Sequence, residues 1–187
     1  SDNSDTEDLI SCENRVCSDH SGDAAFSFID IGEVQIKTEG SNIVVDINFL
    51  DIPDYLTNSN ATVPGGYTEY LWYIAFDVNG DGAYLGDLVF SLTYVRNFID
   101  IEFEDTLSNS TGKEVGEIFN EEGLAFTLTR DFILTLDNNI MSFTVPKNIH
   151  ASLEAINQTT PFRVYSQYRS AEAFYFDRYP DYEGYIY

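Results

Sequence analysis

Residues 69–95 read EYLWYIAFDVNGDGAYLGDLVFSLTYV, and this stretch decides the fold. Tyr70, Trp72, Ile74, Phe76 and Val78 take alternate positions before its acidic centre, and Leu88, Phe90, Leu92 and Tyr94 do so after it. A period of two puts every second side chain on one face of an extended strand, so one face is buried and the other is wetter. The centre, Asp77 to Asp87, is rich in Asp, Asn and Gly, which tolerate the dihedral angles of tight turns. Two strands joined by an acidic turn predict an antiparallel hairpin.

The same period recurs outward in both directions. Ile43, Val45, Ile47 and Phe49 alternate with polar or smaller residues, as do Ile99, Ile101 and Phe103, then Phe126 and Leu128, Leu134 and Leu136, and Met141, Phe143 and Val145. Aromatic strands around 162–168 and 173–176 close the series. Glu39 to Asn42 and Asp137 to Asn139 read as hairpin turns. A short helix is expected over 148–156, after Pro146. Nine or so strands joined by polar turns predict an all-β fold, an antiparallel, jelly-roll-like β-sandwich with one short helix. One domain is expected over residues 23–187, preceded by a flexible acidic leader over 1–22. Asp51 to Gly66, with two prolines and a Gly-Gly pair, reads as a long loop.

The chain of 187 residues carries 32 acidic and 9 basic side chains, a formal charge of −23. That excess repels phosphate backbones and anionic bilayers, so neither nucleic acid nor a membrane surface is an expected partner. No apolar run reaches the length of a spanning helix. The opening residues, SDNSDTED, resemble the polar spacer behind a removed signal or lipoprotein anchor, which points to an extracellular, cell-surface or periplasmic setting. Cys12 and Cys17 enclose four residues and are expected to form a local disulfide. A zinc site that adds His20 and His150 is the alternative.

Asp77, Asn79 and Asp81 stand at alternate positions with Gly82 next, the spacing with which a loop converges hard oxygen ligands on calcium. The twelfth position is Leu88 rather than an acid, and both flanks are strands, so the loop is not an EF-hand. A calcium-holding hairpin closed by Asp87 is expected, against the plainer reading of a turn rich in turn formers. Tyr55, Tyr67 and Tyr73 are candidates for a ligand-binding platform, and Trp72 lies in the apolar register of its strand. Two histidines and two cysteines supply no nucleophile–base set. There is no phosphate-binding glycine loop with a lysine, no HExxH, and no singled-out carboxylate pair, so no enzymatic activity is expected.

Leu71 to Asp77 (LWYIAFD), the Gly-rich acidic turn and Gly86-Asp87-Leu88 resemble the central hairpin of extracellular DOMON-like sandwiches and family-nine-type carbohydrate-binding modules. Asn139 to Pro146 (NIMSFTVP) is similar to a later strand of those modules, and Phe176 to Asp181 (FDRYPD) to their terminal segment. The resemblance implies an extracytoplasmic binding role for a glycan or other surface ligand, often with structural calcium. Asp77 and Asp87 carry over as ligands, and Asp177 and Asp181 as lesser ones. The alternative is a structural subunit of a calcium-dependent surface layer, filament or adhesin, assembling through the aromatic C-terminal segment that contains Tyr175, Tyr179, Tyr182, Tyr185 and Tyr187.

Overall fold

A computed structural model describes residues 11–13, 16–19, 22–52, 69–82, 87–95, 98–105, 110–111, 115–118, 126–129, 132–149, 151–157, 159–170 and 174–179. Two antiparallel sheets face each other. The first contains β1 (Ser11–Glu13), β2 (Val16–Ser18), β3 (Ile31–Glu39), β4 (Asn42–Phe49), β10 (Phe126–Thr129), β11 (Ile133–Asp137) and β12 (Ile140–Pro146). Their spatial order is β1-β2-β3-β4-β12-β11-β10. The second contains β5 (Glu69–Phe76), β6 (Leu88–Val95), β7 (Phe98–Asp105), β8 (Ser110–Thr111), β9 (Val115–Ile118), β13 (Phe162–Arg169) and β14 (Phe174–Tyr179). Its order is β14-β13-β5-β6-β7-β8, with β9 also on β7. This is the all-β sandwich that the alternation predicts.

The core fills from both inner faces. Ile43, Val45, Ile47, Met141, Phe143 and Val145 of the first sheet are buried against Trp72, Ile74, Phe76, Phe90 and Phe162 of the second. Rings meet across the interface: Phe49 lies 6.3 Å from Trp72, and Phe90 lies 6.5 Å from Phe143. The turns form as their residues require. Gly40 at φ 60° opens the turn between β3 and β4, and Asn138 at φ 53° opens the one between β11 and β12. The helix expected over 148–156 is two short 3₁₀ turns, Lys147–Ile149 and Ala151–Ala155, with Leu153 buried beneath them.

The N-terminal boundary differs from expectation. Cys12 pairs with Cys17 across β1 and β2, β2 pairs with β3, and Cys17 is buried in the core. Within the stretch expected as a flexible leader, Ser11–Glu13 and Val16–Ser18 therefore extend the first sheet. Backbone pairing with β3 overrides the polar composition that made this stretch read as a leader. The interior of the long loop, with Tyr55 and Tyr67, lies outside the described residues, as do His20, His150 and Asp181.

Residues 22–30, between β2 and β3, cross to the second sheet, whose side chains bond them. Trp72 on β5, Ser166 on β13 and Asp177 on β14 are in-register neighbours, forming one row across three strands of the second sheet. All three are buried; Trp72 and Ser166 bond the backbone of this crossing segment, and Asp177 bonds the first residue of β3 that follows it. Trp72 Nε1 donates to the Phe28 carbonyl at 3.0 Å, the Ser166 hydroxyl donates to the Ile29 carbonyl, and the Ile31 amide donates to Asp177 Oδ2 at 2.7 Å. Backbone groups that leave water without a strand partner need such bonds, and here side chains of the opposite sheet supply them.

Candidate functional site

The first part of the acidic turn, Asp77 to Gly82, is held by its own side chains. Asp77 is buried at the end of β5, where its Oδ1 accepts the Gly80 amide at 2.7 Å and its Oδ2 the Gly82 amide at 2.9 Å. Both glycines have φ of 72°, so two successive reversals aim their amides at one carboxylate. At the exposed tip Asn79 Nδ2 donates to Asp81 Oδ2, and the Asp81 amide donates to Asn79 Oδ1, both at 3.1 Å. Asp87 is buried beside the start of β6. The structure thus brings Asn79 to Asp81 at the tip and places Asp77 and Asp87 at the buried base.

Among the described residues, the acids that converge are Asp23, Asp30 and Asp177, which bring one carboxylate oxygen each to within 4.8 Å of one another. Asp23 is exposed, and Asp30 and Asp177 are buried. Asp30 ends the crossing segment. Its Oδ2 accepts the Gly22 amide at 2.8 Å, its own amide donates to the Phe26 carbonyl, and its carbonyl accepts the Leu50 amide. Asp177 accepts the Ile31 amide at Oδ2 and the Arg178 amide, at 2.8 Å, at Oδ1.

Burial pushes the Asp177 carboxyl up to about 7, with Asp23 and Asp30 adding to the rise, although the Ile31 and Arg178 amides pull the other way. Withdrawing carboxylates from water into mutual contact is costly unless a proton or a cation compensates. Oxygens this close can share one hard cation, since calcium takes oxygen ligands at about 2.3–2.6 Å. Asp23 and Asp30 escaped the sequence reading. The available signal was an acid inside an apolar run, Phe28-Ile29-Asp30-Ile31, which is an unusual place for a solvated carboxylate.

On the opposite face of β14 the chemistry changes. Phe174, Phe176 and Arg178 alternate with Asp177 and point away from the core, in register with Arg169, Gln167 and Tyr165 of β13. Tyr165 in turn pairs with Tyr73 of β5. The rings form a row: Tyr73 to Tyr165 at 5.1 Å and 23°, Tyr165 to Phe176 at 5.9 Å and 13°, and Phe176 to Phe174 at 5.8 Å. Arg178 sits 5.7 Å from the Phe176 ring centre, within cation–π range. Phe174 and Phe176 are 52% and 46% exposed, which is uncommon for adjacent large rings on an outer sheet face. Burial raises the Tyr73 hydroxyl and pushes Tyr165 up to about 12, with Tyr73 adding to the latter, so both stay protonated at neutral pH. Of the three expected platform tyrosines, Tyr73 belongs to this row. Trp72, on the other face of the same strand, packs in the core.

The chain matches no protein-family model and no curated protein sequence. Among the described residues no helix is long and apolar enough to cross a membrane.

Proposed function

We propose that this chain is an extracytoplasmic, calcium-associated binding module that recognises a glycan or other surface ligand on the outer face of β14, β13 and β5, without chemistry. The observation that carries this reading is the alternation along β14. Phe174, Phe176 and Arg178 face outward as part of the aromatic row, while Asp177 between them faces inward to Asp23 and Asp30. A calcium ion held by the three carboxylates would fix the strand that presents the ligand surface, so the ion stabilises the site without touching the ligand. Sugar rings present C–H faces and hydroxyls, which suit aromatic rings beside Arg169.

A panel of immobilised polysaccharides in affinity electrophoresis tests the reading. The protein should be retarded by at least one glycan, and Tyr165→Ala with Phe176→Ala should weaken that retention by roughly tenfold in a protein that still unfolds cooperatively, at a lower melting temperature. Retardation that survives both substitutions would count against this face.

A secreted setting also accords with a Cys12–Cys17 bridge, which the direct antiparallel pairing of the two residues supports. Alkylation in denaturant without reductant should then label neither cysteine, and labelling of both would refute the bridge.

One feature favours the second reading, a structural subunit. Among the described residues β14 ends the order of its sheet and exposes Phe174, Tyr175 and Phe176, the kind of edge that invites strand addition by another copy. Light scattering separates the two, since a subunit enlarges on calcium addition and a binding module stays monomeric.

A further inference from the structure

We infer that the ligand of the aromatic face is an acidic glycan, an oligosaccharide whose sugars carry carboxylate or sulfate groups. This rests on the reading of that face as a glycan-binding surface.

The observation is where the positive charge lies. The protein has only nine basic side chains against 32 acidic ones, yet Arg163, Arg169 and Arg178 all share the outer face of β13 and β14 with the row of rings. Arg178 is stacked near Phe176, and its charge acts on Tyr165 as that of Arg163 does on Tyr73. Arg169 stands in register with Phe174 and reaches Glu69 at 4.0 Å, with 43% of its side chain exposed. A pair that long and that exposed is weak, and an incoming anion can compete with it. Each guanidinium has five donors in a planar fork, so a carboxylate or sulfate can be taken in a bidentate way beside existing contacts.

The overall charge of −23 does not oppose this. At physiological ionic strength fields decay over about 8 Å, so a short oligosaccharide lying on this face senses mainly its own surroundings, where three arginines stand beside Glu69 and the buried Asp87. A neutral sugar face would need rings and amides but no concentration of arginine. A second copy of this acidic chain is the competing occupant, and the measurements below include it.

Short oligogalacturonates, which do not gel with calcium, are titrated into the protein calorimetrically beside their methyl esters. A sulfated galactan oligosaccharide is run beside its desulfated form. The acidic form of at least one pair should bind roughly tenfold or more tightly than its neutral counterpart, and Arg169→Ala with Arg178→Ala should remove that difference. Arg178→Lys, which keeps the charge but not the fork, should fall between. Unchanged melting curves confirm that the variants fold.

Equal binding of acidic and neutral forms, lost in the Tyr165→Ala, Phe176→Ala protein, overturns the acidic assignment while the glycan reading stands. Binding of none of the four overturns both. Acid-selective binding that the arginine variants do not change places the ligand elsewhere and overturns the inference. A sedimentation coefficient that falls when the two arginines are removed, with no glycan bound by the parent, gives the face to a second copy and overturns it as well.

Discussion

Calcium at roughly 10 mM is expected to raise the melting temperature by about 3–10 °C over the same protein in chelator, taking the affinity range of extracellular calcium modules and the usual sensitivity for this size. Asp30→Asn and Asp177→Asn should each remove most of that gain. Both carboxylates are buried and lie within 4.8 Å of each other and of Asp23, so the metal-free fold holds like charges together where water cannot screen them. A divalent cation turns that repulsion into coordination. Asp81→Asn is the informative control, because Asp81 is exposed at the hairpin tip and bonded there to Asn79. Loss of the calcium response in Asp81→Asn, with its survival in Asp30→Asn, would move the ion to the hairpin. A differential scanning fluorimetry series in calcium, magnesium and chelator reads all of these. An unchanged melting temperature in the parent protein would end the calcium reading altogether.

The second large effect concerns pH in the absence of calcium. The Asp177 carboxyl lies at about 7 in the fold against 3.8 for an ordinary aspartate, because burial disfavours its charged form. Between those values the folded protein holds a proton that the unfolded chain releases. Stability from this group is therefore greatest below about pH 4, declines as pH rises through the interval, and is flat above about 7. The full swing is at most on the order of 4 kcal/mol, taking about 1.4 kcal/mol per unit. Bound calcium reverses the sign, since it stabilises the ionised carboxylate and its own benefit then grows as pH rises. Asp177→Asn keeps a side-chain oxygen for the Ile31 amide but carries no charge. In chelator at pH 8 this variant should be more resistant to urea than the parent, and at pH 4 the difference should shrink. Other acids titrate over the same interval, so the quantity to follow is the difference between the two proteins. A difference between the two proteins that stays constant across this interval would show that the Asp177 carboxyl is not raised in the fold.

The fold was legible because it depends on period. Trp72, Ile74 and Phe76 point inward for the same reason that they alternate, and a hairpin with Gly40 or Asn138 at its bend shows its dihedral requirement in its residues. The candidate sites were less legible because they arise from register between distant segments. Asp30 and Asp177 are separated by most of the chain, and the Ile31–Asp177 bond helps to bring them together. The Asp77 turn has the opposite lesson. Its spacing fits a metal loop, but the same spacing lets one buried carboxylate take the amides of Gly80 and Gly82. Sequence spacing specifies that oxygens and amides converge without saying which of them becomes the partner. The β1–β2 extension was hidden for a related reason, since pairing with β3 is a backbone property and polar side chains do not announce it.

The row formed by Trp72, Ser166 and Asp177 has a mechanical meaning. A force applied to Phe176 or Arg178 from outside loads β14, which lies at the end of its sheet's order and is bonded there to β13. An edge loaded in this way ordinarily unzips one bond at a time. Here Asp177 ties the strand to Ile31 at the start of β3, and Ser166 and Trp72 tie the next two strands to Ile29 and Phe28. Load on β14 is therefore carried by the Asp177 bond to β3 of the opposite sheet as well as by its pairing with β13.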